Sequence, residues 1–243
     1  MISQSSEAWL AYFQSNVQSA QDMPWDRDIF FPENLRAALV PSIKAFQKGE
    51  GSEGHNLHRV SKAYAEKEQD PAYLTCIEYF IREEQKHAEF LRLYLEKLAE
   101  KPLHSTWTDE VFRRLRKNAG LEISISVLIT AEIIATLYYP ALHEATPDPL
   151  LRMICQRIFQ DEARHIRFQS DRLRMLRAAR SSWKLWWTHC LQDFLYTGTL
   201  RVVWFAYGQA FRAGKFSWIK YWSMAWRHYR QVLYGEGILE WPG

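Results

Sequence analysis

The sequence contains few glycines and prolines, which break helices, and few cysteines, which can cross-link a chain. Its 243 residues include only 10 glycines, 9 prolines and 3 cysteines, and the glycines and prolines cluster between apolar-periodic segments. A content of only three cysteines argues against a disulfide-rich scaffold. It favours a reducing compartment, and we therefore expect a cytoplasmic location. No segment shows a convincing alternation of apolar and polar residues that would predict a β-strand, which leaves an all-α fold.

Excess charge and long apolar runs are also missing. The net charge of +3 is too small to indicate a nucleic-acid partner. The N-terminal MISQSSEAWLAYF has no basic segment followed by an apolar one, so we expect no signal peptide. The longest uncharged runs, such as VVWFAYGQAF at 202–211, have about ten residues, whereas a membrane-spanning helix needs about 20. We therefore expect no membrane span.

A carboxylate and an imidazole interrupt the apolar side of one predicted helix. In CIEYFIREEQKHAEFL at 76–91, the apolar residues recur with helical spacing, and Glu84 and His87 lie on the same stripe. A buried carboxylate is costly unless it is paired, protonated or bound to a metal. A single Glu-x-x-His is also compatible with an ion pair at the edge of a helix, so this copy alone decides nothing.

The same pattern occurs again 78 residues later. LRMICQRIFQDEARHI at 151–166 places Glu162 and His165 on an apolar stripe with the same spacing. Asp70-Pro71 precedes the first copy and Asp148-Pro149 the second, again 78 residues apart. An aspartate cap followed by proline at the first helical position is a strong helix start. The two segments therefore predict a structural repeat.

Each of these helices has a predicted partner that carries one more acid. In LITAEIIAT, Glu132 is the single acid of a long apolar stretch and lies 30 residues before Glu162. The matching acid of the first hairpin is Glu50 or Glu53. Internal symmetry favours Glu53, which lies 31 residues before Glu84.

The lengths of helices and loops predict a four-helix bundle made of two hairpins joined by a long crossover at 101–110. The periodic segments predict helices at about 6–20, from 33 or 41 to 68, 71–100, 109–145 (after a Thr108 cap) and 149–180. We expect a helical lead-in at 1–40, the bundle at 41–180, and a tryptophan-rich helical extension at 181–243 packed on the bundle. Pro140 should kink its helix or mark a bulge.

The predicted bundle brings four carboxylates and two imidazoles to one height in its interior. Two divalent cations would neutralise the four acids, and a ligand set rich in oxygen with two nitrogens suits iron or manganese. The predicted ligands are Glu50 or Glu53, Glu84, His87, Glu132, Glu162 and His165. Because metal-ligating histidines usually donate their second N–H to a carboxylate, we expect Asp161 to orient His87 and Glu83 to orient His165.

These motifs resemble the ferritin-like di-metal carboxylate superfamily over about residues 40–180. DEARH at 161–165 is similar to bacterial multicomponent hydrocarbon monooxygenases, and EEQKH at 83–87 to rubrerythrins and cyanobacterial aldehyde-deformylating oxygenases. Gly49-Glu50 resembles the Gly-Glu at the first ligand of several of these families, which favours Glu50. The resemblance also extends to the ribonucleotide-reductase-like oxygenases.

The resemblance implies an oxidoreductase with two iron ions, or manganese or a mixed pair, that activates O₂. The apolar helix around Glu132 favours a small hydrophobic substrate, and without a thiolate cluster or nucleotide-binding motif the electron donor would be a separate protein. An iron-handling ferroxidase or a peroxide-removing protein like manganese catalase is the alternative. A purely salt-bridged helical module is disfavoured by the repeat.

Eight of the eleven tryptophans lie in 181–243, and this segment contains seven Lys and Arg but only three Asp and Glu. The aromatic spacing fits two extra helices packed on the bundle, and it also fits a helix that contacts a membrane surface. A homodimer is a further expectation that the sequence leaves open.

Overall fold

In the computed structural model, residues 4–18, 23–51, 54–103, 120–178, 180–234 and 241 are described. Throughout this part of the chain, every regular element is an α-helix, which confirms the all-α prediction. The helices are α1 (Ser6–Gln18), α2 (Glu33–Glu50), α3 (Gly54–Glu68), α4 (Pro71–Lys97), α5 (Leu121–Ala145), α6 (Pro149–Arg177), α7 (Ser182–Ala213) and α8 (Trp218–Tyr234).

The helix bounds settle where the first bundle helix begins and correct where it ends, because the predicted helix ending at 68 breaks at Gly51 into α2 and α3. Helix α2 begins at Glu33 and continues through Pro41, so the domain boundary drawn at residue 40 falls inside a helix. Helix α5 likewise continues through Pro140. Thr108 and the predicted start of its helix lie outside the described residues. The boundary drawn at 180 falls between α6 and α7.

The two repeated helices begin in the same way. The Asp70 side chain accepts a hydrogen bond from the Tyr73 N–H at 3.0 Å, and Asp148 accepts one from the Leu151 N–H at 2.9 Å. Each acid thus satisfies one N–H that the first turn leaves without a helical partner. Asp148 also accepts from the Phe30 N–H at 2.6 Å, which ties the segment before α2 to the start of α6.

The helix contacts place α4 and α6 side by side in the interior. Helices α2 and α3 pack on α4, and α5 packs on α6. The two pairs meet through contacts of α4 with α6 and of α3 with α5, and their apolar side chains form one continuous core. The two Glu-x-x-His segments therefore face each other across the middle of the fold.

Helix α5 corrects the expectation drawn from uncharged runs. By length and composition alone, Leu121–Ala145 is apolar enough over its best 18-residue stretch to cross a membrane. The length of the uncharged runs underestimated the apolar length of this helix, because the single acid Glu132 divides the stretch in two. Within the protein 72% of that stretch is buried, so the helix has the apolar surface expected of a core helix.

Helices α7 and α8 cover α5 from the other side. Helix α7 packs on α2 and α5, and α8 packs on α5, α6 and α7. The turn between them approaches α5 closely at Gly214, where an added Cβ would lie 2.1 Å from the Ala141 carbonyl oxygen. Only glycine fits at that distance, so the backbone itself forms part of this contact.

A buried arginine joins α1, α4 and α6 at the start of α4. The Arg172 guanidinium, 4% exposed, lies 3.8 Å from the centre of the Tyr73 ring. It donates to Asp70 Oδ2 at 3.0 Å and to Ser6 Oγ at 2.6 Å, and the Ser6 hydroxyl donates to the same carboxylate at 2.7 Å. Asp70 is therefore a helix cap and also the partner of a buried cation.

Replacing Asp70 with alanine should lower the free energy of unfolding by about 3 kcal/mol, because the helix loses its cap and Arg172 its carboxylate. Denaturant unfolding at neutral pH measures the change, and Glu66→Ala, at an exposed position of α3, is the control. Despite burial, the hydrogen bonds lower the pKa of Asp70, so its stabilising effect should be lost as the pH falls through that lowered pKa. Equal stability of both variants would contradict this role.

Candidate metal centre

Six of the predicted ligands meet in the interior, two from α4, two from α6 and one each from α2 and α5. They are all less than 10% exposed: Glu50, Glu84, His87, Glu132, Glu162 and His165. Glu50 is the last residue of α2, next to the break at Gly51. Glu53, the acid that internal symmetry favoured, lies outside the described residues.

These side chains form two overlapping groups that can each hold a metal ion. Within a group, one ligand atom from every residue lies within 4.8 Å of the others. The first group is Glu50, Glu84, His87 and Glu162, and the second is Glu132, Glu162 and His165. Glu162 belongs to both, so its two oxygens can serve two ions.

Glu84 and Glu162 lie between the two histidines. The Nδ1 atom of His87 is 3.8 Å from Glu84 Oε1 and 3.4 Å from Glu162 Oε1. The Nδ1 atom of His165 is 2.9 Å from the same Glu84 oxygen and 3.8 Å from Glu162 Oε2. Glu50 stands at the His87 end, 3.8 Å from that Nδ1. Both imidazoles thus direct Nδ1 at the same two acids, and Glu162 is the one that belongs to both ligand groups.

The second nitrogen of each histidine ring, Nε2, contacts a carboxylate from the opposite helix. His87 Nε2 lies 3.1 Å from Asp161 Oδ2, and His165 Nε2 lies 2.8 Å from Glu83 Oε2. These are the two crossed contacts that the repeat predicted. A carboxylate accepts only, so a neutral imidazole in this position carries its proton on Nε2 and directs the Nδ1 lone pair into the cluster.

The inner atoms of the cluster lack the partners that buried polar atoms normally have. Among the described residues, no hydrogen bond reaches the Nδ1 atoms of His87 and His165, Glu84 Oε1 or Glu162 Oε2. Lone pairs of nitrogen and carboxylate oxygen therefore face one another in a dry interior, which is unfavourable without a proton or a cation between them. The donor set fits divalent cations.

The charges of the cluster shift the pKa values of its members in opposite directions. Burial, followed by repulsion from Glu162 and Glu50, raises the pKa of Glu84. Burial alone would lower the pKa of His87, but the nearby carboxylates of Asp161, Glu162 and Glu50 outweigh burial and raise the pKa well above the usual value. The metal-free protein therefore holds protons here, and a bound cation would displace them.

Sequence reasoning missed an asparagine that contacts both outer acids. The Asn16 amide, carried by α1, donates to Glu83 Oε1 at 2.5 Å and lies 3.4 Å from Asp161 Oδ1. Phe13, one turn earlier, packs its ring 6.5 Å from that of His165. Nothing in the local sequence distinguishes Asn16 from a solvated asparagine, since its role depends on where α1 docks.

Two further supporting residues did have a signal in the sequence. Tyr139 donates its hydroxyl hydrogen to Glu50 and lies two helical turns after Glu132, on the same side of α5. Burial, and then the charge of Glu50, raise the pKa of Tyr139, which keeps the phenol protonated. Arg157 donates to Asp161 at 2.8 Å, a pairing that the spacing of four residues predicts.

A cavity of about 280 Å³ lies elsewhere, at the C-terminal end of α6. Its lining residues are Ser170, Leu173, Arg174, Arg177, Ala178, Leu185, His189, Val232 and Leu233. None of them belongs to the Glu/His cluster, so this cavity is not a substrate pocket next to the candidate metal centre.

Comparison of the chain with protein-family models, with curated proteins and with solved structures gives no significant match. The chemistry of the site is therefore inferred from its own residues.

Replacing Asp161 with asparagine should weaken metal binding by about 10–100-fold, because the amide no longer holds the Nε2 proton of His87 as a carboxylate does. The affinity is measured by competition with a chelator of known strength, and Asp28→Asn, at an exposed position, is the matched control. An unchanged affinity in Asp161→Asn would remove this acid from the site.

Proposed function

We propose that this chain is a ferritin-like di-metal carboxylate protein that binds two iron ions, or manganese or a mixed pair, and uses them in redox chemistry with O₂. The observation that carries the proposal is the pair of buried ligand groups sharing Glu162. In each group an imidazole directs Nδ1 at acids while its Nε2 is engaged by a carboxylate of the opposite helix.

Charge balance supports two ions rather than one. Four buried glutamates would carry four negative charges, which two divalent cations match when both histidines are neutral. Oxygen-rich ligation with one nitrogen per ion suits iron or manganese better than metals that prefer thiolates or oxygen alone. Two Glu-x-x-His segments with one further Glu from each of two other helices are the ligand pattern of ferritin-like proteins, which supports the proposal.

The chain would prepare this site in three ways. When bound, iron or manganese would supply the electrons and the coordination positions for O₂. Asp161 and Glu83 keep the protons of the histidines on Nε2, so that both Nδ1 atoms stay available. Tyr139 holds Glu50 through its hydroxyl, and the Phe80 ring, 4.7 Å from that of His165, excludes water.

Metal content and oxygen uptake test the proposal together. Protein expressed with ample iron and manganese should contain about two metal ions per chain by elemental analysis, as the two ligand groups require. The iron-loaded protein, reduced without oxygen and then exposed to O₂, should consume O₂ and change its optical spectrum. Glu66→Gln is the control for altered surface charge. A protein that takes up neither metal under these conditions would refute the proposal.

A ferroxidase or peroxide-removing activity is the second candidate function. The observation that favours it is the buried ligand set itself, because neither reaction needs a pocket for an organic substrate beside the metal ions. Oxidation of added Fe(II) or loss of hydrogen peroxide without any organic molecule would support this candidate. Oxygen uptake that depends on a hydrophobic organic molecule and on an electron donor would instead support an oxygenase.

A further inference from the structure

One side of α7 presents large apolar side chains to the outside. Phe205 is 84% exposed and Phe194 is 74% exposed. With Trp183, Trp187 and Leu191 they fall within one side of the helix, given its turn of about 100° per residue. These five residues are called the aromatic face below.

Packing within the described chain does not explain why the residues of the aromatic face are apolar. The opposite side of the same helix supplies the core contacts, through Tyr196, Leu200, Val203 and Phe211, which are all buried. Helix α7 is therefore apolar on two sides, and only one of them is covered by the rest of the described chain. Contiguous exposed apolar surface of this kind marks an interaction site more often than single exposed residues do.

The charges around the aromatic face are almost all positive. Between residues 182 and 234 the basic residues are Lys184, Arg201, Arg212, Lys215, Lys220, Arg227 and Arg230. The one acid in that range, Asp193, accepts a hydrogen bond from the Tyr229 hydroxyl at 2.6 Å. Lys215 pairs with Glu144, whereas the other six basic residues have no ion pair with an acid among the described residues.

Two of the arginines lie against aromatic rings. The guanidinium of Arg201 is 5.4 Å from the centre of the Trp222 ring, and that of Arg212 is 5.7 Å from Trp204. Side chains held in this way keep an apolar stem along the surface and a charged end at its border. A surface that combines exposed aromatic groups with basic residues matches the boundary between acyl chains and anionic headgroups.

We propose that the aromatic face docks on the surface of an anionic lipid bilayer, with α7 lying in the plane of the interface. A second copy of the chain is a poorer occupant, because a twofold contact through this face would bring the basic residues of one copy, such as Arg201 and Arg212, towards those of the other. Anionic headgroups pair with these residues instead. Docking of this kind requires no metal and is separate from the proposed redox function.

Vesicle sedimentation with the full-length, metal-loaded protein tests the proposal. The vesicles are phosphatidylcholine alone and phosphatidylcholine mixed with phosphatidylglycerol. We expect binding to the mixed vesicles that weakens as salt is added. The double variant Phe194→Gln/Phe205→Gln should bind at least about tenfold more weakly. Phe30→Gln, which changes a 64% exposed phenylalanine elsewhere, should bind like the unchanged protein.

Thermal unfolding of each variant checks that the exposed substitutions leave the fold intact. Three results would overturn the proposal. The first is a protein that stays in the supernatant with both kinds of vesicle, and the second is equal binding by the double variant. The third is a dimer in solution that the double variant abolishes while vesicles bind neither protein, since the aromatic face would then belong to a second copy.

Discussion

Replacing Glu162 with alanine should remove both metal ions at once. Glu162 is the one residue common to the two ligand groups, and its two oxygens face the two histidines separately. We expect the affinity for each ion to fall by about a hundredfold or more, beyond the usual effect of losing a supporting residue. Glu132→Ala, which touches only the second group, should leave about one ion bound.

The comparison is made by elemental analysis after gel filtration and by titration with Fe(II) in the absence of oxygen. Glu66→Ala, on the exposed side of α3, controls for the loss of one negative charge. Two ions retained by Glu162→Ala would show that the buried cluster is not the binding site. Complete loss in Glu132→Ala would show that the groups do not fill separately.

Replacing Glu84 with glutamine should destabilise the metal-loaded protein and spare the metal-free one. With metal present, a ligand is lost, and we expect the melting temperature to fall by about 10 °C. Without metal, burial and the neighbouring acids raise the pKa of Glu84, so the side chain already favours its neutral form, which glutamine reproduces. The melting temperature of the metal-free protein should therefore stay the same or rise.

Calorimetry on chelator-treated and reloaded protein measures both values in one series. Glu78→Gln is the matched control, because Glu78 lies on the same helix at a half-exposed position and pairs with His58. A drop of equal size in the loaded and metal-free forms would mean that Glu84 supports the fold and not a metal site.

Features that depend on local sequence were predictable. The aspartate caps, the helix periods and the two Glu-x-x-His segments each arise from residues within one or two turns of one another. Because the segments repeat at a fixed spacing, the contacts of Asp161 with His87 and of Glu83 with His165 also followed without a structure. These contacts follow once α4 and α6 are recognised as equivalent helices that face each other.

Features that depend on docking between distant elements were not predictable. Spacing alone favoured Glu53 over Glu50, whereas Glu50 reaches the cluster because α2 ends there, before the turn at Gly51. The role of Asn16 requires the position of α1 on α4 and α6, which no period in the sequence encodes. Charge-free runs likewise hid the apolar character of α5, since one functional acid interrupts it.

The position of Asn16 links the two halves of the repeat. A single amide touches the acid behind each histidine, so any displacement of α1 would loosen both imidazoles together. The two ligand groups therefore share one support outside the repeat, and it is the N-terminal helix that supplies it.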